Sequence, residues 1–138
     1  MTSSAASTEM LTPVSIGEVV DKITILRIKS ARIKDPAKLV NVHAELGALD
    51  SVFVQHFPDL SQDVVASIAE LQAINEKLWV IEDDIRDCER AQDFSAKFIE
   101  LARAVYFTND ERARVKKVIN LALGSTYVEE KSYADYTA

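Results

Sequence analysis

Arg27 and Arg112, with the amides of Asn75 and Asn109, are the residues whose types best suit chemistry here. A guanidinium fork matches a carboxylate or a phosphate, and amides complete the hydrogen bonding around such an anion. Arg27 falls in the middle of an apolar helical face between Ile16, Val20 and Ile23. A guanidinium is too costly to bury there without a partner. For antiparallel helices joined by short turns, residue numbers on neighbouring helices sum to a near constant, which sets Arg27 level with about Val42, Ile74 and Asn109. His43, Gln72, Asn75 and Glu76 then fall in the same slab or one turn away, as do Thr108, Asn109, Asp110 and Arg112. A polar layer across a helical core is therefore expected. It is either a ligand site made by facing helices or a buried network that fixes their register, with Arg27 or Arg112 paired to Glu76 or Asp110. One turn further on, Asp21 and Lys22 approach Arg112 and Lys116, and these read as solvated salt bridges.

Other groups carry less. The run Glu82-Asp83-Asp84-Ile85-Arg86-Asp87 projects carboxylates from one helical face, as a magnesium site would, but a facing helix offers mainly Glu100. Arg86 and Arg90 can neutralise it by pairing along the helix, so a salt-bridged face is expected rather than a metal. His43 and His56 lack a serine or cysteine placed for a triad. The single cysteine, Cys88, sits on an apolar face and reads as core, as does Trp79. No zinc spacing is present and no cofactor is implied. Sixteen Lys and Arg against 22 Asp and Glu give a net charge of -6, which argues against capture of nucleic acid or an anionic membrane.

The elements that must position these groups are helices. The chain has 138 residues with only 3 Gly and 3 Pro, too few turn formers for a sandwich or barrel. Ser15-Ile16-Gly17-Glu18 is a capping box that opens a first helix, which stops near Lys34. Asp35-Pro36 starts a second, which ends near Phe57 before Pro58. The third starts around Asp59 to Ser61 and carries the seam Leu71, Ile74, Leu78, Ile81, Ile85 and Cys88. A fourth begins near Asp93 and ends at Gly124, with Thr108-Asn109-Asp110-Glu111 offering a second capping box where it could break. Short connections predict an all-α, antiparallel up-down-up-down four-helix bundle with long third and fourth helices. The expected organisation is a flexible N-terminal tail over 1–13, one helical domain over 14–124 and an irregular tail over 125–138. Tyr127, Tyr133 and Tyr136 in that tail either pack back on the bundle or stay loose. The first dozen residues do not read as a secretion signal, and no stretch is apolar enough to span a membrane, so the expected location is cytoplasmic.

The blocks VSIGEVVDKITILRIKSARIKDP, INEKLWVIEDDIRDCE, FIELARAVYFTNDERARVKKVIN and EEKSY together resemble a family of small bacterial proteins catalogued as a domain of unknown function. The resemblance spans Val14 to Tyr133 and implies a loose association with glycosyltransferases and surface polysaccharides. Matched residue by residue, it implies a polar surface of Asp21, Lys22, Thr24 and Lys29, then Asn75 and Asp84. Asn109, Asp110 and Arg112 follow in the third block, and Lys131 with Tyr133 in the fourth. Two functional classes compete. One is a non-catalytic accessory or binding module for a protein or an anionic sugar-related ligand, with Ile25 and Ile28 exposed for a contact between copies. The other is a small helical enzyme. It is either chorismate-mutase-like, using Lys22, Arg27, Asn109 and Arg112, or a Mg-dependent nucleotide pyrophosphohydrolase.

Overall fold

A computed structural model describes residues 8–137 and shows an all-α four-helix bundle: α1 (Ile16–Arg32), α2 (Pro36–His56), α3 (Gln62–Arg90) and α4 (Ala96–Ala122). Residues 8–15 and 125–137 carry no regular secondary structure; the rest of the expected N-terminal tail, 1–7, lies outside the described residues. Among the described residues no helix is long and apolar enough to cross a membrane.

The caps explain the boundaries. Asp35 accepts from the Ala37 amide at 3.0 Å ahead of Pro36, and Ser61 accepts from Val64 at 3.3 Å. Helix α4 begins later than expected because the Asp93 carboxylate bonds the Ser95 amide at 3.0 Å, holding a turn in which Gln92 adopts a positive φ of 54°. It then runs unbroken past Thr108, which is buried within it, so the second capping box is not used. The C-terminus is a Schellman turn: Gly124 has φ 66°, and the Ser125 amide bonds the Asn120 carbonyl at 2.8 Å.

Helix α1 departs most from expectation. Ser15 accepts from the Glu18 amide at 3.2 Å, but the Glu18 carboxylate does not return to the cap and instead reaches Lys116. The free amides of the first turn are satisfied from the far end of the chain, Ile16 by Ser125 Oγ at 3.0 Å and Gly17 by Asn120 Oδ1 at 2.6 Å. Pairing of Gly17 with Asn120, Glu18 with Lys116 and Asp21 with Arg112 sets α1 antiparallel to α4. Helix α1 packs against all three others, whereas no Cα of α2 comes within 8 Å of α3 or α4. A core of Val20, Leu71, Val115 and Ile119 lies between α1, α3 and α4, and Phe53 reaches it from α2. This central position corrects the second-face expectation: Ile28 is 1% exposed and Ile25 is half-buried, so neither forms an open surface for a second copy.

The close approach of α1 to α4 requires Gly17. A Cβ there would lie 2.7 Å from the Lys116 carbonyl and 2.9 Å from Asn120 Oδ1. Alanine in a helix is favoured over glycine by about 1 kcal/mol, but overpacking against backbone costs about 1–3 kcal/mol and the buried hydrogen bond is worth about 1 kcal/mol. Gly17→Ala is therefore expected to lower stability by about 1–2 kcal/mol in urea unfolding, the opposite sign to its helix propensity.

Candidate functional site

The polar layer exists, one turn away from where Arg27 placed it, and Asp21 is its centre. Gly17, Asp21, Thr24 and Ile28 repeat at steps of four, three and four and are all buried, so the α1 stripe facing α3 and α4 is largely polar. Asp21 is 1% exposed. Its Oδ1 accepts from Asn75 Nδ2 and from Arg112 Nε, both at 2.9 Å, while Oδ2 takes Arg112 Nη2 in a fork-to-fork pair. Asn75 Nδ2 also donates to Thr24 Oγ1 at 2.9 Å, and that hydroxyl donates to the Asp21 carbonyl at 2.8 Å. The hydrogen bond to Asp21 is the main reason the Arg112 guanidinium is held above its ordinary pKa.

Lys116, beside Arg112, is buried, 7% exposed. Its ammonium donates to Glu18 at 2.7 Å and to Glu129 at 2.9 Å, with Asp21 at 3.9 Å. Burial is the largest single influence and opposes the charge, yet the hydrogen bonds to Glu18 and Glu129, with Asp21 nearby, outweigh it and raise the pKa. Glu129 is correspondingly held below the usual carboxylate range, by Lys116 first and then Lys131. These facts overturn the reading of Asp21 and Lys116 as solvated.

Two cavities meet above this layer, where the C-terminal segment crosses α4. The smaller, about 240 Å³, is bounded by Glu18, Arg112, Lys116 and Glu129. The larger, about 850 Å³, is bounded by Tyr106, Tyr133, Tyr136, Asp110 and Asp135. Asn109 and Lys131 line both. The tail tyrosines resolve in favour of packing at Tyr136, whose ring stands 5.5 Å from Tyr106 and 5.2 Å from Phe107 and whose hydroxyl donates to Asp110. Lys131 stands 5.6 Å from the centre of the exposed Tyr133 ring.

Of the expected site residues, Asp21, Asn75, Asn109 and Arg112 come together, and Asp110, Lys131 and Tyr133 line the adjoining cavity. Lys22 and Arg27 do not join them: Lys22 pairs with Glu45 at 3.4 Å and Arg27 with Asp50 at 3.2 Å, both half in solvent beside α2. The Arg27 expectation is thereby corrected. Arg27 borders instead an apolar cavity of about 400 Å³ with Ile23, Phe53, Phe57 and Ile68. Glu76 bonds Arg32, and His43 lies 3.0 Å from Ser30 Oγ, a serine partner that spacing did not suggest. That pair is exposed, and among the described residues no carboxylate orients the other ring nitrogen. The cations named for a chorismate-mutase-like pocket are thus divided between two sides of α1. The acidic run on α3 is paired with Arg86 and Arg90, and Cys88 is buried in the core. Among the described residues no three His, Cys, Asp or Glu side chains gather as a metal cage. Lys116, Asn120, Glu18 and Glu129 were not singled out as ligand-site residues; the clue available was that Glu18 and Lys116 lie one turn from Asp21 and Arg112 on their own helices.

Compared with known families, residues 10–137 match one described as a family of unknown function, DUF6165. No curated protein and no solved structure matches the chain.

Removing Asp21 would leave the half-buried Arg112 guanidinium without its carboxylate and the Asn75 amide with Thr24 alone. Asp21→Ala is expected to cost about 3 kcal/mol in urea unfolding, and adding Arg112→Leu should recover part of that loss. Tyr136 gives a separate signature, because its hydrogen bond to Asp110 raises its pKa from 10.0 to about 12. Its contribution to docking is present below the ordinary tyrosine pKa and is lost as pH rises through about 12. An ultraviolet titration should show Tyr136 ionising late, and Asp110→Asn should move its ionisation back toward 10.0.

Proposed function

Because the chain belongs to the DUF6165 family, whose function is unknown, we propose its role from its own geometry: a non-catalytic, cytoplasmic helical binding module that takes an anionic sugar-related ligand in the cleft between α4 and the C-terminal segment. The observation that carries this reading is the pair of adjoining cavities, one aromatic and one charged, which share Asn109 and Lys131. Tyr106 and Tyr133 offer apolar ring faces for a sugar, while Asn109, Asp110 and Asp135 supply the directional polar groups a hydroxylated ring needs. Lys131 stands where an acidic substituent would pass from one cavity to the other. The larger volume falls in the range of small-molecule pockets, about 300–1,000 Å³.

A binding role is favoured over catalysis by the state of Arg112. It is forked onto the buried Asp21, so it holds the frame and is not free to meet charge that develops in a reaction. The partnership with glycosyltransferases rests on the resemblance of the sequence blocks; in this reading the module presents or retains a sugar-bearing anion for such an enzyme.

A thermal-shift series with sugar nucleotides and phosphosugars tests the proposal. Ligand at 100 times Kd adds about 2.7 kcal/mol of stability, a readily measured rise in Tm. The rise is expected to vanish in Lys131→Ala and Tyr133→Ala, whose side chains are exposed, without loss of the fold. A rise that persists in both variants, or none with any acidic sugar, would overturn the reading.

A further inference from the structure

The irregular segment after α4 places one carboxylate between two ammonium groups. Glu129 Oε2 lies 2.9 Å from Lys116 Nζ and Oε1 lies 3.1 Å from Lys131 Nζ, so each oxygen has its own cation. An oxyanion on a small molecule would be held in the same way. The other acids of the cluster, Glu18 and Asp21, are carried by α1, Asp21 completely buried and Glu18 as exposed as Glu129. Glu129 is the acid of this cluster that no helix carries, and it is 39% exposed on its side chain. With Glu129 withdrawn, the wall of the 240 Å³ cavity carries Arg112, Lys116 and Lys131 against Glu18, with Asp21 buried behind Arg112 and with Asp110 and Asp135 lining the adjoining cavity.

We infer that Lys116 and Lys131 form the seat for the ligand's anionic group, a phosphate or a carboxylate, and that Glu129 fills this seat as an internal stand-in which the ligand displaces. The inference rests on the proposed function for what lies beyond the anion, because Asn109 and Lys131 lead from this seat into the tyrosine-lined cavity. Displacing Glu129 removes a main tie of the segment to the bundle. What remains is Tyr136 against Tyr106, Phe107 and Asp110, Ser125 with Ile16 and Asn120, and the exposed pair of Glu130 with Lys117. The seated anion, held by Lys116 of α4 and Lys131 of the segment, replaces that tie, so residues 125–137 are looser only while the seat is empty. The stand-in also lowers apparent affinity, since only the fraction of molecules with an open seat can bind.

Calorimetric titration of the full chain and of Glu129→Gln with inorganic phosphate, glucose 1-phosphate, glucuronate and glucose tests this. The three anions are expected to bind Glu129→Gln roughly tenfold tighter than the parent chain, with neutral glucose unchanged. Lys131→Met in the same background should remove the gain. Amide exchange across 125–137 should quicken in Glu129→Gln, and addition of anion should slow it again. The tighter of glucose 1-phosphate and glucuronate identifies whether the seat prefers phosphate or carboxylate. Equal anion affinity in the two chains, or a gain that survives Lys131→Met, would overturn the inference and leave the binding-module reading standing. A phosphate gain with no added affinity for either sugar acid would uphold the seat and overturn the sugar reading. Failure of every anion to bind either chain would overturn both.

Discussion

A carboxylate withdrawn from water at the middle of a helix has to be answered on every oxygen, and in this protein Asp21 sets that demand. Arg112 from α4 and Asn75 from α3 meet it, so three helices are fixed in height and rotation by one side chain. Apolar contacts between Val20, Leu71, Val115 and Ile119 would tolerate sliding by a turn, because ridges repeat at that interval. The forked contact of Arg112 with both Asp21 oxygens does not. The network thus contributes less as net stability than as a choice of register, the role for which buried polar groups are best attested.

Much of the bundle could be read from the chain itself. Caps at Ser15, Asp35 and Ser61, with Gly124 at the end, mark real boundaries, because each is a local hydrogen-bonding or steric requirement. The environment of α1 was harder. Its apolar residues were read as a single core face, and Arg27 fell at the centre of that face. Helix α1 is in fact surrounded, with a polar heptad stripe of Gly17, Asp21 and Thr24 turned to α3 and α4 and Arg27 at the solvent border with α2. Periodicity of apolar residues cannot see a buried stripe made of polar ones. Choosing Asp21 over Arg27 requires knowing which helices are neighbours.

The candidate cleft divides in the same way. Asn109, Asp110, Arg112, Lys131 and Tyr133 were identifiable as polar or aromatic positions, and they do converge. Their convergence depends on how the segment after Gly124 folds back, and that segment has no period to read. Glu129 is placed by a long-range contact with Lys116, and Tyr136 by contacts with Tyr106, Phe107 and Asp110, which no local pattern announces. The two cavities are a product of that path over α4.

The capping of α1 by Asn120 and Ser125 has a bearing on how the molecule is made. The contacts span 103 and 109 positions along the chain, so α1 is synthesised well before the side chains that cap its opening amides, which emerge only with the end of α4. A nascent chain on the ribosome would carry an α1 frayed at its start, and its polar stripe would wait for Asn75 and then Arg112. Closure of the bundle is in this sense a late, all-at-once step, with α1 waiting on the end of α4.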